Sequence, residues 1–150
     1  DINELMEGIC RQMQEKNSSP YIQILFTEKA DQCMMYTDRI RLSQVIINFT
    51  NNALKFTPKG SIEMGYRIEE AKDEIYFYVK DTGIGIPADK IDKVFERFVK
   101  LNSFIKGTGL GLAICRVIVE RLGGVIGVES KEGEGSRFWF RIPRSEKIEK

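Results

Sequence analysis

Two asparagines and a lysine fall at positions where their side chains would share one stripe of a helix. Asn48, Asn52 and Lys55 are spaced i, i+4 and i+7, which stacks two amides and an ammonium along one face. Asparagine is a mediocre helix former and costs free energy when it is buried without partners. A bound ligand would explain these residues. The alternative is that Asn51 is solvated and that Asn48 and Asn52 bond to neighbouring backbone groups.

Two glycine-rich segments lie downstream of this stripe. Asp81 ends a predicted strand and leads into Gly83-Ile84-Gly85, and the segment Gly107 to Leu112 leads into a predicted helix. The second segment is neither a Walker A loop, since no Gly-Lys-Ser/Thr follows, nor a Rossmann fingerprint, since no strand leads directly into it. A glycine loop at a helix N-terminus still offers backbone N–H groups that attract phosphate. Either segment alone can be a plain flexible connection, whereas the stripe and both segments together can hold a cation, a purine and a phosphate chain.

The composition narrows the chemistry that these residues can perform. The net charge is +1 and basic residues are interspersed with acidic ones, so nucleic acid is not an expected partner. The absence of histidine excludes a histidine base, nucleophile or metal ligand within the chain. The three cysteines, Cys10, Cys33 and Cys115, are far apart and odd in number, which fits neither a disulfide framework nor a zinc site. Any chemistry must use carboxylates, amides, Lys, Arg or backbone groups.

The polar stripe requires a long helix, and the sequence predicts one from Asp38 to Gly60. Asp38 is the expected N-cap, and Pro58-Lys59-Gly60 ends the helix. Apolar residues recur at three- and four-residue steps, as in a helix that buries one face against a sheet: Leu42, Val45, Ile46, Phe49 and Ala53. The other predicted elements are helices at 2–16, 88–97 and 110–122, strands at 21–27, 61–69, 73–80, 125–130 and 136–142, and a short extended run at 33–36.

Helices and strands that mix without strict alternation predict an α/β two-layer sandwich of the α+β kind. The expected sheet is mixed and mostly antiparallel, with about three helices packed on one face. Residues 1–150 form a single domain in this interpretation. No window approaches a membrane span and the N-terminus lacks the pattern of a signal peptide, so we expect a cytoplasmic domain that belongs to a longer protein.

Four motifs stand in a fixed order along the chain: Asn48-x-x-x-Asn52-Ala53-x-Lys55-Phe56-Thr57, Asp81-x-Gly83-x-Gly85, Phe95-Glu96-Arg97-Phe98 and Gly107-Thr108-Gly109-Leu110-Gly111-Leu112. This order resembles the N, G1, F and G2 boxes of the ATP-binding domain of sensor histidine kinases. The likeness runs from about Asp1 to Arg144 and includes Gly133-x-Gly135-Ser136-x-Phe138. It implies the Bergerat ATP-binding fold of the gyrase, Hsp90, histidine kinase and MutL ATPases, with ATP and Mg²⁺ as cofactors, in a bacterial two-component system.

The resemblance implies roles for the residues of the first two boxes. Asn52 would bind Mg²⁺ through its amide oxygen, and Asn48 and Lys55 would contact water or phosphate oxygens. Asp81 would accept a hydrogen bond from the adenine amino group. The residues implied to lie close to the base are Phe56, Gly83, Gly85 and Ile86.

The last box and the segment before it would form a lid over the phosphates. Gly107, Gly109 and Gly111 would let the lid pack closely, with the Leu110 N–H as a donor, and Thr108 and Leu112 complete the implied nucleotide-binding set. Lys100 stands where the family often has an Arg or Lys that reaches the γ-phosphate. The resemblance therefore implies Asn48, Lys55 and Lys100 as the catalytic residues.

The amide at position 48 bears on the phosphoryl acceptor. The resembling ATPases and serine-kinase anti-sigma factors carry Glu at the position of Asn48. A neutral amide cannot take a proton from an attacking group, whereas a histidine imidazole is already nucleophilic. Asn48 thus favours transfer to histidine over transfer to water or serine. Since the chain has no histidine, we expect the acceptor on a helical dimerisation domain upstream of Asp1.

The expected partners are that dimerisation domain and, downstream in the pathway, the receiver domain of a response regulator. Phe95 and Phe98 would dock on the dimerisation helix; the alternative, favoured for Phe95, is that both are core residues. We expect the isolated domain to be a monomer and the parent protein a homodimer; the sequence leaves open whether the parent is anchored in the inner membrane. The alternatives to a kinase are a nucleotide-binding interaction module of the same fold without kinase output and a purely structural domain.

Overall fold

The long helix that carries the polar stripe spans Arg39–Phe56 (α2). Asp38 caps it, because its Oδ1 accepts a hydrogen bond from the Arg41 N–H at 3.1 Å. Thr57 leaves the helical conformation and ends the helix. The predicted apolar stripe is buried, and each of its members is at most 2% exposed: Leu42, Val45, Ile46, Phe49 and Ala53. The prediction of this helix and its cap is confirmed.

The computed structural model describes residues 1–35, 37–96 and 111–144. Besides α2, its helices are α1 (Ile2–Lys16), α3 (Ala88–Ile91) and α4 (Gly111–Arg121). Its strands are β1 (Ile22–Glu28), β2 (Gly60–Glu69), β3 (Glu74–Asp81), β4 (Val125–Lys131) and β5 (Gly135–Pro143), and a 3-10 turn (Glu70–Lys72) joins β2 to β3. None of the helices in these ranges is long and apolar enough to cross a membrane.

The five strands form one mixed sheet in the order β1-β2-β3-β5-β4. β1 and β2 are parallel, because α2 carries the chain back along the sheet between them. The other neighbouring pairs are antiparallel. α1, α2 and α4 pack on the sheet. The predicted two-layer sandwich with a mostly antiparallel sheet is confirmed.

An aromatic cluster lies where α2 meets the middle strands. Phe49 of α2 packs against Phe138 of β5 with ring centroids 5.5 Å apart, and Phe77 of β3 stacks on Phe140 of β5 at 4.8 Å. None of these four side chains is more than 2% exposed. Close-packed aromatic contacts of this kind resist displacement. They therefore hold α2 over β3 and β5, the two strands whose ends meet beside the candidate site.

The opposite face of the sheet is covered by its own side chains in the described part of the chain. Three arginine guanidinium groups lie between 4.6 and 5.9 Å from the centroids of three aromatic rings: Arg67, Arg137 and Arg141 over Tyr76, Tyr78 and Trp139. The Tyr78 hydroxyl donates to the Glu28 Oε1 at 2.7 Å. Burial, together with this carboxylate, raises the pKa of Tyr78 to about 12. We use the name arginine–aromatic layer for the three arginines and the three aromatic residues beneath them: Arg67, Arg137, Arg141, Tyr76, Tyr78 and Trp139.

Two predicted elements differ in the structure. Residues 33–35 are not a strand, because the Cys33 carbonyl accepts the Ile2 N–H at 2.9 Å and so serves the start of α1; Tyr36 lies outside the described residues. The helix predicted at 88–97 spans only Ala88–Ile91. Turns with i to i−3 hydrogen bonds follow it, including Glu96 N–H to the Lys93 oxygen at 3.0 Å.

Candidate functional site

The polar stripe of α2 divides into side chains that face different surroundings. The Asn52 Nδ2 group donates to the backbone oxygen of Asn48 at 3.3 Å. The amide nitrogen of Asn52 therefore bonds to the neighbouring backbone, as the alternative interpretation of the stripe predicted. The Asn52 Oδ1 oxygen has no hydrogen-bond partner among the described residues, so it can bind a ligand. Lys55 is exposed on the same stripe. Asn51 lies on another side of the helix, where its Oδ1 accepts a hydrogen bond from Lys16 Nζ at 3.3 Å.

Asn48 lies where α2 meets α4. Cys115 of α4 is fully buried, and its thiol donates to the Val45 backbone oxygen at a sulfur–oxygen distance of 3.9 Å. Burial raises the pKa of Cys115 to about 12, and a hydrogen bond from the Asn48 side chain partly offsets this effect. These contacts bring the beginning of α4, where Gly111 and Leu112 lie, close to the middle of α2.

Asp81, at the end of β3, is the buried carboxylate of the site and is 3% exposed. Its Oδ1 accepts a hydrogen bond from the Gly83 N–H at 2.8 Å. Burial raises the pKa of Asp81 above its ordinary value. The N–H groups of Gly83 and Ser136 oppose this rise, because donors favour the ionised carboxyl. An ionised carboxylate accepts hydrogen bonds only, so this group can recognise a donor on a ligand.

The loop that follows Asp81 is tied to two other parts of the fold. The Ile84 N–H donates to the Phe56 backbone oxygen at 2.9 Å, which joins the loop to the last residue of α2. The Ile84 backbone oxygen accepts the Gly133 N–H at 2.7 Å, which joins it to the turn between β4 and β5. The end of the polar stripe and the buried carboxylate are therefore parts of one connected structure.

Both glycines of this loop stand where a side chain does not fit. A Cβ at Gly83 would lie 2.1 Å from the Phe56 backbone oxygen. Gly85 has a φ of +74°, and a Cβ there would lie 2.2 Å from the Lys131 backbone oxygen. Both positions therefore require glycine for close backbone approach, and Gly85 also for its left-handed conformation.

Two serines that are not among the predicted site residues also hold the loop. Ser130 Oγ accepts the Ile86 N–H at 2.8 Å and donates to the Gly135 backbone oxygen at 3.0 Å. Ser136 Oγ lies 2.7 Å from Ser130 Oγ, so the two hydroxyl groups share a hydrogen bond. The signal in the sequence is a hydroxyl residue at the end of one strand and near the start of the next. Thr57, the last residue of the first box, is a third hydroxyl residue that received no role.

The remaining predicted site residues occupy several environments. Phe56 and Ile86 are 7% and 1% exposed and belong to the core, as does Leu112 at 7%. Phe95 is half-buried and meets Phe138 edge to face at 6.3 Å, so its ring contributes to the core. The predicted residues that lie outside the described part of the chain are Phe98, Lys100, Gly107, Thr108, Gly109 and Leu110.

The donor and acceptor groups brought together here fit a purine nucleotide with a divalent cation. Mg²⁺ takes oxygen ligands and usually combines one or two protein oxygens with waters and substrate phosphates. The Asn52 Oδ1 oxygen suits that role, because the hydrogen bond to the Asn48 backbone uses only the amide nitrogen of Asn52. The buried Asp81 carboxylate suits the amino group of a base. Thr57 and the Phe56 backbone connect the two, because they end α2 and contact the loop after Asp81.

Comparison with known proteins identifies a family that matches this chain and sensor kinases that are similar to it. Residues 37–146 match the family described as histidine kinase-, DNA gyrase B- and HSP90-like ATPases. The autoinducer 2 sensor kinase/phosphatase LuxQ of Vibrio vulnificus is 42% identical over 119 residues, which are 74% of this chain and 14% of LuxQ. The chain therefore spans about a seventh of the length of that curated relative.

Two solved structures share the fold over almost the whole chain. Full-length ShkA in complex with AMPPNP has a TM-score of 0.87 and 32% identity, covering 95% of this chain and 30% of ShkA. The catalytic domain of the histidine kinase ThkA has a TM-score of 0.82 and 33% identity, covering 95% of this chain and 92% of that domain. ThkA has also been solved in complex with the response regulator protein TrrA.

Proposed function

The chain belongs to the family of histidine kinase-, DNA gyrase B- and HSP90-like ATPases, and from this we propose that it is the catalytic ATP-binding domain of a sensor histidine kinase. It transfers the γ-phosphoryl group of ATP to a histidine on a separate domain of the parent protein. The observation that carries this proposal is the junction between α2 and the loop after Asp81. There a buried acceptor for the base and the amide stripe for the phosphates are parts of one connected structure.

Recognition of the base rests on Asp81. Its ionised carboxylate accepts a hydrogen bond from the adenine amino group, while Gly83 and Gly85 let the backbone approach the base closely. Phe56 and Ile86 support this part of the site from the core. The Ser130 hydroxyl holds the Ile86 N–H in place.

The phosphates rest on the stripe of α2. Asn52 would hold Mg²⁺ through its Oδ1 oxygen, and the ion supplies charge neutralisation at the phosphates when it is bound. Asn48 and the Lys55 ammonium would contact phosphate oxygens or water and position the transferring group. Lys100 and residues 107–112 complete the proposed set as the lid.

The proposed acceptor is histidine, because the Asn48 side chain cannot act as a general base. Asn48 presents an amide, which takes no proton from a serine or a water molecule. An imidazole is nucleophilic without such help. This chain contains no histidine, so the acceptor belongs to another domain.

The whole protein is proposed to be larger than this chain. A helical dimerisation domain carries the acceptor histidine, and the receiver domain of a response regulator takes the phosphoryl group from it. The parent protein is proposed to be a homodimer, and the domain alone a cytoplasmic monomer. The receiver partner is supported by the complex of the relative ThkA with the response regulator TrrA.

Calorimetric titration with a non-hydrolysable ATP analogue, with and without Mg²⁺, tests the binding site. We expect Asp81→Asn to weaken binding in both conditions and Asn52→Ala to remove most of the gain from Mg²⁺, each by about tenfold or roughly 1.4 kcal/mol. Asn51→Ala is the matched control, since Asn51 contacts Lys16 on another side of the same helix. Wild-type protein that is folded and gives no heat would refute the proposal.

A second experiment tests transfer. A longer form of the protein that includes the upstream segment is incubated with γ-labelled ATP, and the label is tested for the acid lability and alkali stability of phosphohistidine. We expect label on the upstream segment in the wild type and, at an ATP concentration well below saturation, about tenfold slower labelling after Asp81→Asn. A longer form that binds ATP and never becomes labelled would favour the interaction module over the kinase.

A further inference from the structure

Three polar residues lie side by side across three strands of the sheet. Asp81 of β3 pairs in register with Ser136 of β5, and Ser136 pairs with Ser130 of β4. Residues directly opposite each other on neighbouring strands project from the same face of a sheet. These three project from the face that the helices cover, because Phe138, two residues after Ser136, belongs to the core. We call Asp81, Ser136 and Ser130 the polar row.

The loop after β3 is held by the two ends of the polar row. Near the start of the loop, the Gly83 N–H donates to Asp81 Oδ1 at 2.8 Å. At its end, the Ile86 N–H donates to Ser130 Oγ at 2.8 Å and makes no other hydrogen bond among the described residues. Ile86 is 1% exposed, so loss of the Ser130 hydroxyl would leave its N–H largely unsatisfied.

The hairpin of β4 and β5 fixes the Ser130 hydroxyl in turn. Ser130 Oγ lies 3.0 Å from the Gly135 backbone oxygen and 2.7 Å from Ser136 Oγ. The loop packs tightly beside it, since a Cβ at Gly85 would lie 2.2 Å from the backbone oxygen of Lys131. The end of the loop is therefore positioned by the hairpin.

The contact between the loop and α2 is a different one. It is made by the Ile84 N–H, which donates to the Phe56 backbone oxygen at 2.9 Å. Ser130 takes no part in this hydrogen bond. Removal of the Ser130 hydroxyl would thus release the end of the loop, where Gly85 and Ile86 lie, and leave α2 with its polar stripe in place.

We propose that Ser130 is a positioning residue that sets the affinity of this site for the base separately from its affinity for the phosphates. The inference rests on the proposed function, because it assigns the loop to the base and the stripe of α2 to the phosphates. Without the Ser130 hydroxyl, the loop occupies its bound position for only part of the time, and the apparent affinity for the base falls by that fraction. The stripe does not depend on the end of the loop, so phosphate binding stays unchanged.

The test compares Ser130→Ala, Ser130→Thr and Ser19→Ala in this chain. Ser130→Thr keeps the hydroxyl in a residue that suits a strand. Ser19→Ala is the matched control, since Ser19 Oγ also accepts a backbone N–H, from Tyr21 at 3.2 Å in an exposed segment before β1. Titrations with Mg²⁺ present use three probes: a non-hydrolysable ATP analogue, adenosine and inorganic triphosphate. Hydrogen exchange of the Ile86 amide is measured without any ligand.

We expect Ser130→Ala to weaken binding of the ATP analogue and of adenosine about tenfold, from the loss of one hydrogen bond to a buried donor. Binding of inorganic triphosphate should stay within roughly twofold of the wild type, because it uses only the stripe. The Ile86 amide should exchange about tenfold faster in the free protein. Ser130→Thr and Ser19→Ala should retain the wild-type affinities and exchange rate.

A folded Ser130→Ala protein that binds adenosine as tightly as the wild type would overturn the role of Ser130. Equal losses for adenosine and inorganic triphosphate would also overturn it, because the hydroxyl would then support the whole fold. If Ser130→Ala does not fold, Ser130→Cys answers the same question, since it keeps the size of the side chain and replaces the hydroxyl with a weak acceptor. If wild-type protein binds none of the three probes, the proposed function fails; unchanged Ile86 exchange in Ser130→Ala would separately overturn the anchor itself.

Discussion

At the scale of single residues, the buried Asp81 carboxyl lowers the stability of the fold, and we propose that it does so in order to bind the base. Its carboxyl is 3% exposed, and burial raises its pKa. The donors around it, from Gly83 and Ser136, recover only part of the cost of keeping it ionised. The folded state therefore holds its proton more tightly than the unfolded chain does. By linkage, the stability of the protein falls as the pH rises from the ordinary aspartate pKa through the raised one, and stays lower above it.

Asp81→Asn should accordingly stabilise the nucleotide-free protein while it weakens the proposed recognition of the base. At pH 7 we expect a gain of about 1 kcal/mol, or roughly 2–4 °C in melting temperature, because a neutral amide needs no ionisation in the buried site. The gain should shrink as the pH is lowered through the raised pKa of Asp81, since the wild-type carboxyl then becomes protonated in the folded state. Calorimetric melting at pH 7 and at a series of lower pH values measures this. A loss of stability at pH 7 would contradict this interpretation of the carboxyl.

At the scale of elements, the site is made by the way α2 ends. The helix contributes its polar stripe, and its last residue, Phe56, accepts the Ile84 N–H. The loop after β3 is anchored a second time by Gly133, in the turn between β4 and β5. A displacement of the loop would therefore move the Asp81 carboxylate, the proposed acceptor for the base, relative to the stripe proposed to bind the phosphates.

Gly83→Ala tests this junction. The new Cβ would lie 2.1 Å from the Phe56 backbone oxygen, so α2 and the loop must separate. We expect a loss of about 2–4 kcal/mol in the free energy of unfolding and no measurable ATP binding. Gly8→Ala is the matched control: it lies inside α1 with no atom within 4 Å of the new Cβ. That change should stabilise the protein by about 0.5–1 kcal/mol. Urea denaturation of both variants measures the difference, and equal stabilities would contradict the proposed strain.

For the molecule as a whole, one sheet separates two environments. α1, α2 and α4 cover one face and form the core. The arginine–aromatic layer covers the other, where Tyr76 and Tyr78 are each 6% exposed. Arg141 stacks over Tyr76 and Trp139 at 4.8 and 4.7 Å and pairs with Glu69 at 2.9 Å. This layer buries aromatic surface with the apolar stems of arginine, in place of a second layer of helices.

Arg141→Ala should reveal how much this layer stabilises the fold. We expect a loss of about 1–2 kcal/mol, because both the ring contacts and the ion pair with Glu69 disappear. Arg144→Ala is the control, since Arg144 pairs with Glu70, whose side chain is 77% exposed, and should cost at most about 0.5 kcal/mol. The Arg141 hydrogen bond lowers the pKa of Glu69, so that pair contributes above the ordinary glutamate pKa and is lost as the pH falls through the lowered one. Equal melting temperatures for the two variants would show that the layer does not stabilise the fold.

The sequence by itself determined the features that depend on neighbours along the chain. The period of apolar residues places α2 and its buried stripe, Asp38 marks its cap, and alternation marks the strands. The order of the four boxes was enough to indicate the family. Where local preference competed with distant contacts, as at Cys33, the expectation of a strand was wrong.

Only the tertiary structure decided which polar groups are buried and paired. Thr50 inside α2 and Thr57 at its C-cap are the same residue type, but the Thr50 hydroxyl donates to the Ile46 backbone oxygen while the Thr57 hydroxyl is buried against Gly83 without a partner among the described residues. Likewise, the raised pKa of Asp81 comes from burial where β3 lies between β2 and β5. Desolvation and hydrogen bonding depend on residues that are far apart in the chain and come into contact only in the folded protein. The spacing of residues along the sequence does not predict these contacts.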